Sequence, residues 1–286
     1  MLVIMGFVVV IASVFGGFAL AGGHIGPLFQ PTELLMIGGA AAGAFLASNN
    51  GKSIKATLRA FRRLHPANAY NQTMYMELMS MLYALLTKAR REGMLGIEAD
   101  IDNPQESELL SRFPRLIKDA LIMNFITDYF RLMVAGTLES LELDELMLHE
   151  IEVFEHECEV PASALAKVAD GMPAFGIVAA VMGVVKALST ADAGPDQMGE
   201  MIAHALVGTF LGILIGYGFI SPLATRIERQ ASEVVKVLQC IRVTLLASLH
   251  GYVPQIAVEF GRKAVFSAER PSFIELEEHV REHRAA

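Results

Sequence analysis

Between Gly171 and Pro222 the sequence reads GMPAFGIVAAVMGVVKAL, a short polar break, and then MIAHALVGTFLGILIGYGFISP. Nothing else in the chain restricts the fold as strongly. Each apolar run approaches the ~17–25 residues that a helix needs to cross a bilayer. Gly208, Gly212 and Gly216 recur at every fourth position and share a helix face, as do Ala179, Gly183 and Ala187 on the first run. Lipid supplies no hydrophobic push between helices, so small residues that let backbones approach are what hold them together. The two runs are therefore expected to touch other helices rather than to be coated with lipid. Pro173 and Pro222 lie at the same end of the pair. Each proline frees a backbone carbonyl, which a bilayer tolerates only where protein or water satisfies it. Two readings follow: ordinary spans with helix-end prolines, or a hairpin that lines a pathway or acts as a moving joint.

The rest of the chain fits around this hairpin. Composition is 53% hydrophobic yet 19% charged, a mixture expected of spans plus a solvated domain. Residues 1–21 are apolar throughout. Ala19-Leu20-Ala21 resembles a signal cleavage site, but no Lys or Arg precedes the run and its length exceeds a signal core. A retained first span is expected, facing lipid. Residues 22–32 make a short loop, and 33–49 a second, Gly- and Ala-rich span. A soluble segment covers 50–170, followed by spans at 171–188 and 201–222, a loop at 189–200 between them, and helices at 223–286. Lys52, Lys55, Arg59, Arg62 and Arg63 follow span two, and Arg226 and Arg229 follow span four, whereas 22–32 and 189–199 hold no Lys or Arg. The positive-inside rule then places both termini and 50–170 in the cytoplasm. The expected fold is an all-α membrane protein with four transmembrane helices and a large helical cytoplasmic domain between spans two and three. Lys186, near the outer end of span three, is expected to snorkel to the interface or face a wet seam.

Within 50–170 the periodicity is helical. Met74, Leu78, Met81, Leu82 and Leu85 mark one helix ended by Gly93, Pro114 to Ala135 a second closed by Gly136, and 139–158 a third, acidic one. Pro161 is expected to break or bend the chain before span three. Lys88, Arg90 and Arg91 end the first helix, and Glu98, Asp100 and Asp102 follow on a connecting loop. Solvated helix faces account for most such charges. A plus cluster beside a minus cluster also suits a transient partner of inverse pattern, with register set by charge. In the tail, Ser272 and Glu275 form a capping box, with Phe273 and Ile274 expected on the apolar side of the last helix.

Several chemistries find no support. Cys158 and Cys240 give neither a disulfide framework nor zinc spacing. Glu152 and His156 lie one turn apart without a catalytic metal spacing, and no metal is expected. No catalytic constellation points to an enzyme. An acidic chain of net charge −8, with its basic residues beside the membrane, is not expected to bind nucleic acid. Inside the spans there is no Asp or Glu away from the ends, and Thr209 is the main deep polar group. A proton route usually needs an ionisable group within the bilayer. If this chain moves protons, a partner helix is expected to supply the carboxylate, with the small-residue faces and Thr209 as the wall.

The blocks PAFGIVAAVMGVVKAL, IAHALVGTFLGILIGYGFISPLAT and GRKAVFSAERPSFIELEEHV resemble the A subunits of the flagellar motor stator, the MotA family, and the likeness covers nearly the whole chain. That resemblance implies an inner-membrane homo-pentamer around two copies of the single-span MotB, which carries the ion-accepting Asp. It implies cytoplasmic loops that push on the rotor protein FliG. By the family's motif Arg90 and Glu98 would be the rotor-contact charges, Pro173 and Pro222 the conformational joint, and Thr209 and Ala180 the lining of the ion path. Sodium-driven relatives tend to carry Thr where Ala180 stands, which points to protons as the coupling ion. No cofactor is expected. Two alternatives remain open: an ExbB/TolQ-like energiser of an envelope system, which would have three spans and an outer N-terminus, and a passive membrane scaffold.

Overall fold

An uninterrupted apolar run has no polar face to present to water, so its helix needs a medium that accepts hydrocarbon all round. The first helix of the computed structural model is of this kind: no residue of α1 (Leu2–Leu20) is buried against the rest of the chain. The structure describes residues 2–63, 70–189 and 194–285, which are nearly all helical and contain no strand. The further helices are α2 (Pro31–Ser48), α3 (Gly51–Arg63), α4 (Gln72–Glu92), α5 (Glu98–Asp102), α6 (Pro114–Ile117), α7 (Ala120–Ala135), α8 (Ser140–Ser189), α9 (Pro195–Ile215), α10 (Ser221–Leu249), α11 (Pro254–Ala264) and α12 (Phe273–Ala285). Among the described residues four segments are long and apolar enough to cross a membrane: Leu2–Leu20, Gly26–Ser48 and stretches within Ser140–Ser189 and Gln197–Leu249. The chain divides into two compact units, Met1–Asn68 with Glu157–Gln230, and Ala69–His156 with Ala231–Ala286.

The first unit is built on glycine. A methyl group added at Gly212 would stand 2.6 Å from the Met172 carbonyl oxygen, and one at Gly176 would stand 2.7 Å from that of Gly208. One at Gly183 would stand 2.6 Å from the Ala205 Cβ. The backbones of α8 and α9 thus meet directly, on the faces that the four-residue spacing predicts. Ile37 and Ala41 of α2 pack with Met172, Ala179, Val207 and Leu211. The outermost helix, α1, touches this core through aromatic pairs, Phe7 with Phe219 and Phe15 with Phe210, at 5.0 and 6.1 Å between ring centroids. Amphipathic α3 belongs to this unit as well, its Ala60 packing against a cluster of Ala162, Leu165, Ala224 and Ile227.

The second unit is built on side-chain volume. Leu78, Met81, Leu82 and Leu85 of α4 are fully buried, together with Ile126 and Phe130 of α7 and Leu238, Ile241 and Leu245 of α10. Gly93 ends α4 at φ 83°, and Gly136 ends α7 at φ 61°, a backbone state that glycine reaches without strain.

The structure redraws several expected boundaries. The run from Pro114 to Ala135 is two helices, because the Asp119 side chain accepts from the amides of Leu121 and Ile122 and starts α7 there. Pro161 does not break the chain; it lies with Pro173 inside the continuous helix α8. The capping box forms, with the Ser272 amide donating to Glu275 Oε2 at 2.7 Å and the Glu275 amide to Ser272 Oγ at 3.2 Å. The apolar side of α12 is however Leu276, buried with Val280 against it, while Phe273 and Ile274 are exposed. Of the expected loop at 189–200, residues 190–193 lie outside the described residues, and α9 already starts at Pro195.

Candidate functional site

In the first unit the site is the seam between α8 and α9. Thr209 is half-buried, and its Cα would lie 3.2 Å from a methyl group at Gly176. Ala180, 9% exposed, is one turn further along α8, and its backbone nitrogen would lie 3.4 Å from a methyl group at Gly208. The two residues expected to line an ion path therefore share one short stretch of seam.

The prolines bracket an irregular segment. A proline at 173 has no N–H for the carbonyl of Ala169, one turn back. That carbonyl oxygen would stand 2.6 Å from a methyl group at Gly216, and the Pro173 ring 3.4 Å from it. Gly216 opens a wide turn, Gly216–Ile220, of π-helical geometry, directly ahead of Pro222 at the start of α10. Wide turns of this kind are local departures from helical pairing and recur where helices bend or act. The carbonyl that Pro173 frees thus lies on the first residue of the irregular turn that leads into Pro222.

In the second unit the charged cluster splits into paired and outward groups. Lys88 donates to Asp100 Oδ2 at 2.7 Å, and Ser107 Oγ donates to Asp100 Oδ1 at 2.6 Å. Asp100 is buried, and the bond to it raises the Lys88 ammonium above its ordinary range. Arg131 pairs with Asp102 at 2.9 Å and also donates to the Ile101 carbonyl at 3.1 Å. These contacts clamp the segment after α4. Arg90, Arg91 and Glu98 remain exposed, and among the described residues Arg90 and Glu98 make no ion pair. Only part of the sequence cluster is therefore available to another protein.

Residues 4–93 match the family described as motility protein A N-terminal, and 117–240 match the MotA/TolQ/ExbB proton channel family. The chain is 55% identical to motility protein A of Salmonella typhimurium over 98% of its own length and 95% of that protein. It is 54% identical to motility protein A of Escherichia coli over the same shares. It belongs to the motility protein A family. Chemotaxis protein LafT of Vibrio parahaemolyticus is 33% identical over 97% of this chain and 98% of that one. The fold matches the structure of C. jejuni MotAB at a TM-score of 0.79 and 22% identity, covering 94% of this chain and 98% of that chain. It matches the flagellar MotAB stator complex from Bacillus subtilis at 0.74 and 25% identity, covering 90% and 92%. For a motility protein A of this length, likeness over nearly the whole chain favours the motor reading over the envelope-energiser and scaffold alternatives. The family is one of channels, not of enzymes.

One membrane-unit residue escaped the sequence reading. Glu33 is terminal by sequence, in the first turn of α2, yet it is only 7% exposed. Glu33 does lie at a span end, in keeping with the expectation that the spans hold no Asp or Glu away from their ends; what the sequence did not show is that packing buries it there. The available signal was spacing: Glu33, Ile37 and Ala41 form one stripe at four-residue intervals.

Proposed function

We propose that this chain is the membrane subunit of an ion-driven flagellar stator, set in the bacterial inner membrane with both termini in the cytoplasm. Five copies surround two single-span MotB helices, which supply the ion-accepting Asp. The coupling ion is the proton, and no cofactor takes part. Ala180 and Thr209 form the wall of the path, Pro173 and Pro222 relay its state, and Arg90 and Glu98 meet the rotor protein FliG.

Family membership over nearly the full chain supports the general reading. The observation that carries the mechanism is the sorting of charges after α4, where Lys88 and the two aspartates are bound internally and Arg90 and Glu98 are left outward. Exposed pairs contribute about 0–1 kcal/mol each. One charge crossing 100 mV releases about 2.3 kcal/mol. Each ion can therefore drive the breaking and remaking of a few such contacts.

Reversal tests this. Arg90→Glu with Glu98→Lys should stop swimming while the subunit still accumulates in the membrane, and matching reversals on the rotor should restore torque. Full swimming by the doubly reversed chain on an unaltered rotor would remove these residues from the contact. The same assay reads the joint. Pro173→Ala restores an amide under the Ala169 carbonyl and should lower torque at unchanged subunit level, and undiminished torque would exclude Pro173 as the relay.

A further inference from the structure

We propose that Glu33 is a proton-holding group of this chain's own, at the Ser189 end of the α8–α9 seam. The proposal rests on reading that seam as the wall of an ion path, and it adds a station to that path which lies on this subunit rather than on its partner.

The geometry begins with Gly208. A methyl group there would stand 2.7 Å from Glu33 Oε2, 3.2 Å from the Ala179 Cβ and 3.4 Å from the Ala180 nitrogen. A methyl group at Gly183 would stand 3.8 Å from Oε1. The carboxyl thus occupies the volume that Gly208 leaves open, within ordinary contact distance of the Gly183 position, beside Ala180 and one residue from Thr209. Gly183 precedes the end of α8 by less than two turns, and Gly208 follows Met201 by about two turns. At about 5.4 Å per turn, the carboxyl is level with a point roughly 10 Å inside both apolar stretches.

The chemistry follows from what surrounds it. Oε2 is buried and has no hydrogen-bond partner among the described residues. An ionised carboxylate without a donor or cation is costly in an apolar seam, and so is a polar oxygen left unpaired. Leucine or alanine would fill the same stripe without that cost. Lys186 and His204 are the ionisable groups within about one turn of Gly183 and Gly208 along their helices. Taking up a proton removes the charge, the larger of the two costs, so a carboxyl here is suited to holding a proton. A proton arriving as hydronium forms the carboxyl O–H and leaves water, and release to the next water breaks that bond and regenerates hydronium. Ionisable residues inside membrane spans mark such relays.

The test uses the full chain with its single-span partner in proteoliposomes carrying a pH dye. Wild type should pass protons, and Glu33→Gln and Glu33→Ala should each cut the flux at least about tenfold at equal subunit level. Glu33→Asp should retain most of it. On wild type, dicyclohexylcarbodiimide, which modifies protonated carboxyls in apolar surroundings, should label Glu33 by peptide mass spectrometry. This second readout stands even if Glu33→Gln fails to assemble. Wild-type flux in Glu33→Gln would overturn the proposal and reduce Glu33 to a filler, and leave the ion-path reading intact. Label on the partner but none on Glu33 would also overturn it. A wild-type complex that passes no protons would overturn the ion-path reading and this inference with it.

Discussion

The two units of this chain solve the same packing problem by opposite means. In the first, α8 and α9 meet backbone to backbone, because Gly176, Gly183, Gly208, Gly212 and Gly216 have nothing to interpose. In the second, Leu78, Met79, Met81, Leu82 and Leu85 of one helix fill space with side chains and are fully buried. Both units hold polar groups inside. The second makes ion pairs between partly buried groups, Arg242 with Asp144 at 2.7 Å, Arg262 with Glu259 at 2.6 Å and Lys88 with Asp100 at 2.7 Å. A buried carboxyl oxygen without a hydrogen-bond partner among the described residues occurs in each unit, on Glu33 in the first and on Glu77 in the second. A water-facing unit has the hydrophobic effect to drive its core and can use any apolar side chain of the right volume. A lipid-facing unit must rely on close contact at small residues.

If this contrast holds, adding volume should damage the first unit most and removing volume should damage the second. The largest effect is expected for Gly212→Val. Its Cβ would lie 2.6 Å from the Met172 carbonyl oxygen, a backbone atom that cannot swing aside, so assembly with the partner should be lost on native gels. Leu82→Ala in α4, the opposite operation, should cost about 2–5 kcal/mol by denaturant unfolding, the usual range for emptying a buried leucine site. A Gly212→Val subunit that assembles normally would break the contrast.

A smaller effect is expected from the ion pairs. Lys88→Met leaves Asp100 with the Ser107 hydroxyl as its remaining donor and should cost about 1–3 kcal/mol. The Lys88 ammonium is raised above its ordinary 10.5 by the bond to Asp100. Its contribution is therefore fully present below that pH and is lost as pH rises through the higher folded value. The gap in unfolding midpoint between wild type and Lys88→Met should be constant at neutral pH and close in strong alkali. A gap that persists there would assign the loss to packing of the lysine stem instead.

Much of this was legible in the chain because it is periodic. The four-residue glycine spacing of α9 and the Met/Leu stripe of α4 fix which faces are buried whatever they pack against. Gly93, Gly136 and the Ser272–Glu275 box announce their helix ends by local chemistry alone. What misled was also local. Pro161 looks like a breaker, yet α8 passes through it. Phe273 and Ile274 look like an apolar face, yet the helix turns Leu276 inward. Asp119, which divides the run before α7, is an ordinary acid until its side chain is seen to accept two amides.

The sequence by itself determined the helices, their apolar faces and the small-residue stripes, because backbone periodicity and side-chain size are properties of each residue and its near neighbours. Only the tertiary structure decided which charges are spent and which are left. Asp100 and Asp102 are claimed by Lys88 and Arg131, Glu98 is not, and Glu33 at a helix end is carried into a glycine-lined seam. Pairing and desolvation depend on which distant segments arrive beside a group, and no local pattern encodes that.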